Sequence, residues 1–245
     1  MNKVKKIGVL SLLGMLIVGC SCSKVDESTY QAAVNVYEET DGIYFSRVET
    51  ISVDGEDTYT RKKISAKYLF NSNNMVTNME YIRSVYTVSS SGANISDSTT
   101  KYYYSAERRT LYTHLSSVNR YKKTDVTYDE VFNINVSQGD EMLMIKGNFA
   151  PMFQLNEIED FNIEDDNGKA IVTFAAICPS YEKCASNSDV LTYNYIIGTD
   201  GNIESLSYEI VNGDTTHTIS YTFYSYGSNN VNIEFPADLE SYIEK

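Results

Sequence analysis

Apolar residues along this chain recur in three rhythms. From Ile7 to Val18 they are nearly continuous, broken only by small Gly and Ser, with Lys3, Lys5 and Lys6 in front. A basic start and a short apolar core make a secretory signal, too short to span a bilayer comfortably. The next rhythm is helical. Tyr30, Ala33, Val34 and Tyr37 fall at i, i+3, i+4 and i+7, behind a capping-box pattern in Ser28-Thr29-Tyr30-Gln31, and Gly42 ends the segment. Beyond Gly42 the period drops to two. Residues 43–52, 61–70, 75–88, 101–105, 110–115 and 117–123 read as strands, with Asp54-Gly55 and Asn71-Ser72-Asn73-Asn74 as turns. The Ser-, Thr- and Gly-rich stretch 89–100 has little to bury and reads as an exposed loop.

The pattern is irregular from 125 to 166. Met142, Leu143, Met144 and Ile145, then Phe149, Met152 and Phe153, form a greasy segment interrupted by Gly147 and Pro151, which predicts short helices. Strands resume at 169–177, 190–197, 202–211, 215–226 and 231–235, with hairpin signals at Asp200-Gly201 and Asn212-Gly213. No internal repeat or second composition regime interrupts the pattern. The expected organisation is a signal peptide over 1–19, a polar tether over 20–27 and one domain over 28–245. The fold class is α+β, mainly β.

The end of the signal adds an address. Ile17-Val18-Gly19-Cys20 resembles the lipobox of bacterial lipoproteins, in which the cysteine receives a diacylglycerol and becomes the mature N-terminus. The resemblance implies lipidation at Cys20, with acyl chains such as palmitate holding the protein on the outer face of a membrane. Each buried methylene contributes about 0.8 kcal/mol, so two chains anchor where one would not. Ser21 follows, whereas lipoproteins kept on the inner membrane of two-membraned bacteria carry Asp there.

The element order and the closing segment Tyr226-Gly227-Ser228-Asn229-Asn230-Val231-Asn232-Ile233-Glu234-Phe235-Pro236 resemble the superfamily of bacterial lipoprotein carriers and mycobacterial lipid-carrying lipoproteins. That resemblance implies a strongly curved antiparallel sheet, an unclosed half-barrel with an N-terminal helix and short helices over its open mouth. It further implies an acyl-chain cavity. Methionines are flexible and polarizable and adapt to varied apolar shapes. Met142, Met144, Phe149, Met152 and Phe153, with inward strand residues Tyr208, Tyr221 and Phe223, are therefore the expected ligand-binding residues. Ordinary core packing is the competing reading of the same residues. The alternative function is an interaction module with a filled core, contacting an envelope protein or polysaccharide through a Tyr-rich face.

Charge and composition narrow the classes further. Cleavage before Cys20 removes three of the 20 basic residues and none of the 33 acidic ones, leaving a formal charge of −16. Such an excess argues against nucleic acid, which needs clustered Lys and Arg. A monomer is expected. Tyrosine is abundant at 21 while tryptophan is absent, and Tyr suits half-buried strands and ligand-facing sheets. Cys178 and Cys184 lie in one loop of an exported chain, where a local disulfide is expected. A redox pair would want C-x-x-C, and zinc would want more partners than His114 and His217 offer. Cys22 is left over.

Nothing predicts catalysis. Neither histidine stands in a motif, and no G-x-S-x-G, Walker loop or dinucleotide fingerprint occurs, so neither catalytic residues nor a cofactor are assigned. The acidic run Glu157, Glu159, Asp160, Glu164, Asp165 and Asp166 lacks the register of a calcium loop and reads as a solvated face, so no metal site is assigned. Arg61-Lys62-Lys63, Arg108-Arg109 and Arg120 with Lys122-Lys123 read as edge protection and cross-strand pairing, with a rim for lipid headgroups as the functional alternative.

Overall fold

The helical segment opens the fold, two residues earlier than its sequence pattern suggests. The structure is a computed structural model that describes residues 25–115, 119–127, 150–180, 182, 184–186 and 188–245. The signal segment, Cys20, Cys22, Met142, Met144 and Phe149 lie outside the described residues. Helix α1 spans Glu27–Glu39 and is capped by Asp26, whose Oδ1 accepts from the Ser28 N–H at 2.9 Å. Thr29 completes a capping box with Asp26, so the box starts at Asp26 rather than Ser28. A carboxylate is the stronger acceptor, and its charge suits the helix N-terminus. The expected face is the buried one: Tyr30, Ala33, Val34 and Tyr37.

Helix α1 ends at Glu39, and Gly42 has a different job. It begins β1 (Gly42–Val53) beneath the backbone of Ser228, where an added Cβ would stand 2.9 Å from the Ser228 Cα and N. Gly42→Ala is therefore expected to destabilise the fold by about 1–3 kcal/mol through overpacking against backbone. A urea denaturation midpoint matching the parent would contradict this.

The remaining strands are β2 (Thr58–Phe70), β3 (Val76–Ser89), β4 (Asn94–Ser105), β5 (Thr110–His114), β6 (Arg120–Lys123), β7 (Ile158–Asp166), β8 (Lys169–Ile177), β9 (Val190–Ile197), β10 (Ile203–Asn212), β11 (Thr215–Tyr226) and β12 (Ile243–Glu244). Among the described residues they form one 12-stranded sheet in the order β12-β6-β5-β4-β3-β2-β1-β11-β10-β9-β8-β7. Neighbours are antiparallel except β12, which runs parallel to β6. The sheet is curved and does not close into a barrel, and the mainly-β half-barrel architecture is as expected.

Three local expectations are corrected. The stretch 89–100 is a turn followed by the first half of β4, paired residue by residue with β3 from Asn94 onward. Its side chains are exposed, so burial periodicity could not reveal a ladder made by backbone alone. Residues 158–166, expected to be irregular, form β7, the edge strand among the described residues, which carries the acidic run after Glu157 on a solvated face. Its exposed carboxylates discourage edge-to-edge pairing. A 3-10 turn at Leu155–Glu157 is the helical structure described in the middle region.

Residues 231–235 are not a strand of the sheet. Gly227, at φ 86°, ends β11, and Asp41 accepts hydrogen bonds from the Ser228 N–H at 2.7 Å and Oγ at 2.6 Å. The chain then crosses the outer face, where Phe235 packs against Tyr103 and Tyr112, beside Leu239 and Tyr242. Phe235, the last of the alternating Val231, Ile233 and Phe235, thus meets side chains below it, not a neighbouring ladder.

The main core fills the inner face beneath α1. Tyr30 makes edge contacts with Phe161, Phe174 and Tyr195, at centroid separations of 5.3–5.9 Å. Such pairs add about 0.5–1.5 kcal/mol each beyond burial of area. Tyr195 OH also donates to the Pro151 carbonyl at 2.6 Å, tying the middle segment to β9.

Candidate functional site

Inward positions of adjacent strands form a continuous aromatic run. Ring centroids step from Phe153 to Tyr193 at 4.8 Å, to Tyr208 at 5.0 Å, to Tyr221 at 6.5 Å and to Phe223 at 6.2 Å. Four of the expected ligand-binding residues, Phe153, Tyr208, Tyr221 and Phe223, are thereby brought together, with Tyr193 as the link the sequence reading did not name. Met152 packs against the same core. Tyr208, Tyr221 and Phe223 are buried.

At Tyr208 and Tyr221 the inner face turns from apolar to charged. Arg47 lies opposite Tyr221 in the β1–β11 register and donates from Nε to its hydroxyl at 3.0 Å. Its guanidinium carbon also stands 5.8 Å from the Tyr221 ring centroid, a cation–π distance. Arg47 Nη1 meets Glu49 Oε2 at 3.0 Å, and Glu49 Oε1 meets His217 Nδ1 at 2.8 Å. Lys62, opposite Glu49 on β2, brings Nζ to 3.6 Å from Oε2. Charges this deep are held only where they are paired, since burial removes their hydration. Arg47 and Glu49 side chains are 5% and 3% exposed.

The protonation states follow from these contacts. Burial works against ionisation of Glu49, but the His217 hydrogen bond and the charges of Arg47 and Lys62 outweigh it and hold the carboxyl well below its ordinary range. Burial likewise opposes the Arg47 charge, yet Tyr221, Glu182, Tyr208 and Glu49 together keep the guanidinium firmly protonated. Burial pushes the Tyr221 hydroxyl up to about 12, so it stays neutral while its oxygen accepts from Arg47.

The seventh member comes from a loop. Cys178 and Cys184 form the expected disulfide, with their Cα atoms 6.5 Å apart. Within that closed loop the Glu182 N–H donates to the Pro179 carbonyl at 2.9 Å. The Glu182 carboxylate reaches the inner face, accepting from Tyr208 OH at 2.5 Å and lying 3.4 Å from Arg47 Nη2. So the disulfide does more than staple a hairpin: it carries an acid into the charged cluster.

Of the residues considered for other chemistry, His217 is part of this cluster while His114 sits on β5 against the Tyr242 ring. Lys62 is the member of the three basic clusters that turns inward; Arg109 and Arg120 instead pair with Asp125 and Asp238. Among the described residues no group of three or more His, Cys, Asp or Glu side chains is placed to hold a metal ion. A separate open cleft lies at the β10–β11 end of the sheet, between Asp200, Asn202, Glu204, Tyr224 and Asn230, and does not reach Arg47.

Sequence reasoning missed Arg47, Glu49 and Glu182. Two of them carried a readable signal. Arg47 and Glu49 stand in phase with inward Ile43 and Phe45, and a charge at an inward position of a strand demands a partner. Glu182 carried none, since a loop of that length has no periodicity.

Comparison with known proteins gives likeness in solved structures alone. LprF from Mycobacterium bovis is 10% identical, over 85% of this chain and 94% of that one, with a TM-score of 0.44. A DUF1329 family protein from Desulfovibrio piger is 10% identical, over 87% of this chain and 96% of that one, with a TM-score of 0.29. A porin-like protein from Bacteroides uniformis is 11% identical, over 76% and 96%, with a TM-score of 0.22. No protein-family model matches the sequence, and no curated protein is similar to it by sequence.

Proposed function

We propose that this protein is a lipid-anchored, extracytoplasmic binding lipoprotein whose half-barrel takes up an acyl-chain ligand without catalysing a reaction on it. The carrying observation is the amphipathic inner face: an aromatic run from Phe153 through Tyr193 to Tyr208 and Tyr221 that ends at buried Arg47. An acyl chain needs an apolar lining, and a few fixed polar groups at one end orient such a ligand. The lipobox ending in Cys20 supports the anchor, and the signal ahead of it supports export. Protein purified from its own host is expected to release lipid in native mass spectrometry, and Cys20→Ala is expected to shift the protein from the membrane to the soluble fraction. Protein free of lipid would count against the ligand, and unchanged membrane retention against the anchor.

The interaction-module reading is favoured by one observation. The outer face carries exposed apolar side chains, including Tyr224, whose ring centroid lies 4.6 Å from that of Tyr44, with Ile196 and Val211 on neighbouring strands. Loss of a partner on Tyr224→Ser, with lipid retention unaffected, would support it.

A further inference from the structure

The Glu182 carboxylate occupies the polar end of a face otherwise suited to an amphiphile. We propose that the Arg47 end of the inner face is a binding site for the carboxylate of a fatty acid, and that Glu182 holds this site in the ligand's absence. The inference rests on the acyl-binding reading above and names the headgroup that reading leaves open.

Three observations carry it. The first is rigidity. Arg47 and Glu49 lie on β1, Lys62 on β2, Tyr208 on β10, and His217 and Tyr221 on β11, so the receptor half is built on adjacent strands of the sheet's centre. Glu182, the seventh member, alone arrives on a connecting loop. The second is fit. A carboxylate bridging Tyr208 OH at 2.5 Å and Arg47 Nη2 at 3.4 Å demonstrates that the position accepts that group, at a site where Glu182 is 6% exposed. The Arg47–Glu182 contact is longer than the 3.0 and 2.8 Å that Glu49 makes with Arg47 and His217. The third is charge. Arg47 and Lys62 face Glu49 and Glu182, so exchanging Glu182 for a ligand carboxylate leaves the buried charge unchanged. An unpaired charge here would be costly, so a neutral headgroup could not replace Glu182 on equal terms.

Position completes the picture. Tyr208 and Tyr221 belong to both the cluster and the aromatic run, so a headgroup at Arg47 would direct its chain along Tyr193 towards Phe153. Arg suits a carboxylate better than Lys because its planar fork presents several donors in fixed geometry.

The test is a fluorescence titration of the full chain carrying Cys20→Ala, disulfide intact, with cis-parinaric acid and with its methyl ester. The acid is expected to bind about tenfold or more tightly than the ester, a ratio ordinary for loss of one buried ionic hydrogen bond. Glu182→Gln keeps an acceptor for Tyr208 but removes the competing charge, and is expected to tighten the acid several-fold. Equal affinity for acid and ester would overturn the carboxylate site while leaving the acyl-binding reading standing. Failure of both probes to bind would overturn the two together. Unchanged acid affinity in Glu182→Gln would overturn the role given to Glu182. Butyrate, the headgroup without its chain, is expected not to displace parinaric acid; displacement at equal concentration would assign the site to small free acids and overturn the amphiphile.

Discussion

Replacing Phe174 by Ala is expected to lower the unfolding free energy by about 3–5 kcal/mol. Phe174 is 1% exposed and lies where α1, the middle segment and the β7–β9 end of the sheet meet. Its ring contacts Tyr30 of α1, Phe153, Phe161 of β7, and Tyr193 and Tyr195 of β9, at centroid separations from 5.3 to 6.4 Å. Removing it leaves a void walled by five rings, each itself packed by others and therefore poorly able to collapse inward. Domains of this size hold only about 5–15 kcal/mol in all, so the variant would lose a large share. Urea denaturation followed by far-ultraviolet circular dichroism measures it. A loss below 1 kcal/mol would mean that the rings do repack, and that the aromatic core is more plastic than its burial implies.

Glu49→Gln is expected to cost about 3–5 kcal/mol at neutral pH, because Arg47 and Lys62 would lose their shared counter-charge while staying largely buried. The pH dependence gives the sharper signature. The native carboxyl of Glu49 is held below the ordinary value of 4.5, so its ionised form stabilises the fold above that value. That contribution fades as pH falls through the lower native value. The gap between parent and variant should therefore be full at pH 7 and narrow steadily below about pH 4.5. Denaturation midpoints from pH 3 to 7 test this. Parallel profiles across that range would show that ionisation of Glu49 does not underlie its contribution.

The parts of this fold that were legible in the sequence are those where a side chain's burial follows from its place on a regular element. Strands β8, β9 and β11 begin and end where alternation begins and ends, and the inward Tyr208, Tyr221 and Phe223 do share a face with Phe153. Helix α1 was legible for the same reason, through Tyr30, Ala33, Val34 and Tyr37. Illegible parts depend on backbone or on distant chain. Residues 94–99 pair through amides with every side chain exposed, and β7 hides behind its carboxylates. The site was half legible. Tyr208 and Tyr221 mark it from the apolar side, and Arg47 and Glu49 sit in register with Phe45. What no local pattern could supply is that Glu182, 135 residues from Arg47, would be the acid to meet it.

The pairing of β1 with β11 at the centre of the sheet has a consequence for how the chain matures. Strands β1 to β6 can zip together through successive hairpins, and β7 to β11 can do the same, each half using short-range contacts. The seam between them joins Arg47 to Tyr221 across 174 residues and Glu49 to His217 across 168. Long-range closure of that kind is slow, because entropy is spent before contacts reward it. In a chain that is synthesised N-terminus first, β1 therefore waits with one edge bare until nearly the whole sequence has arrived. Arg47 and Glu49 wait with it, and the buried charged cluster comes into existence only when the two halves meet, as the last stitch of the sheet rather than its first.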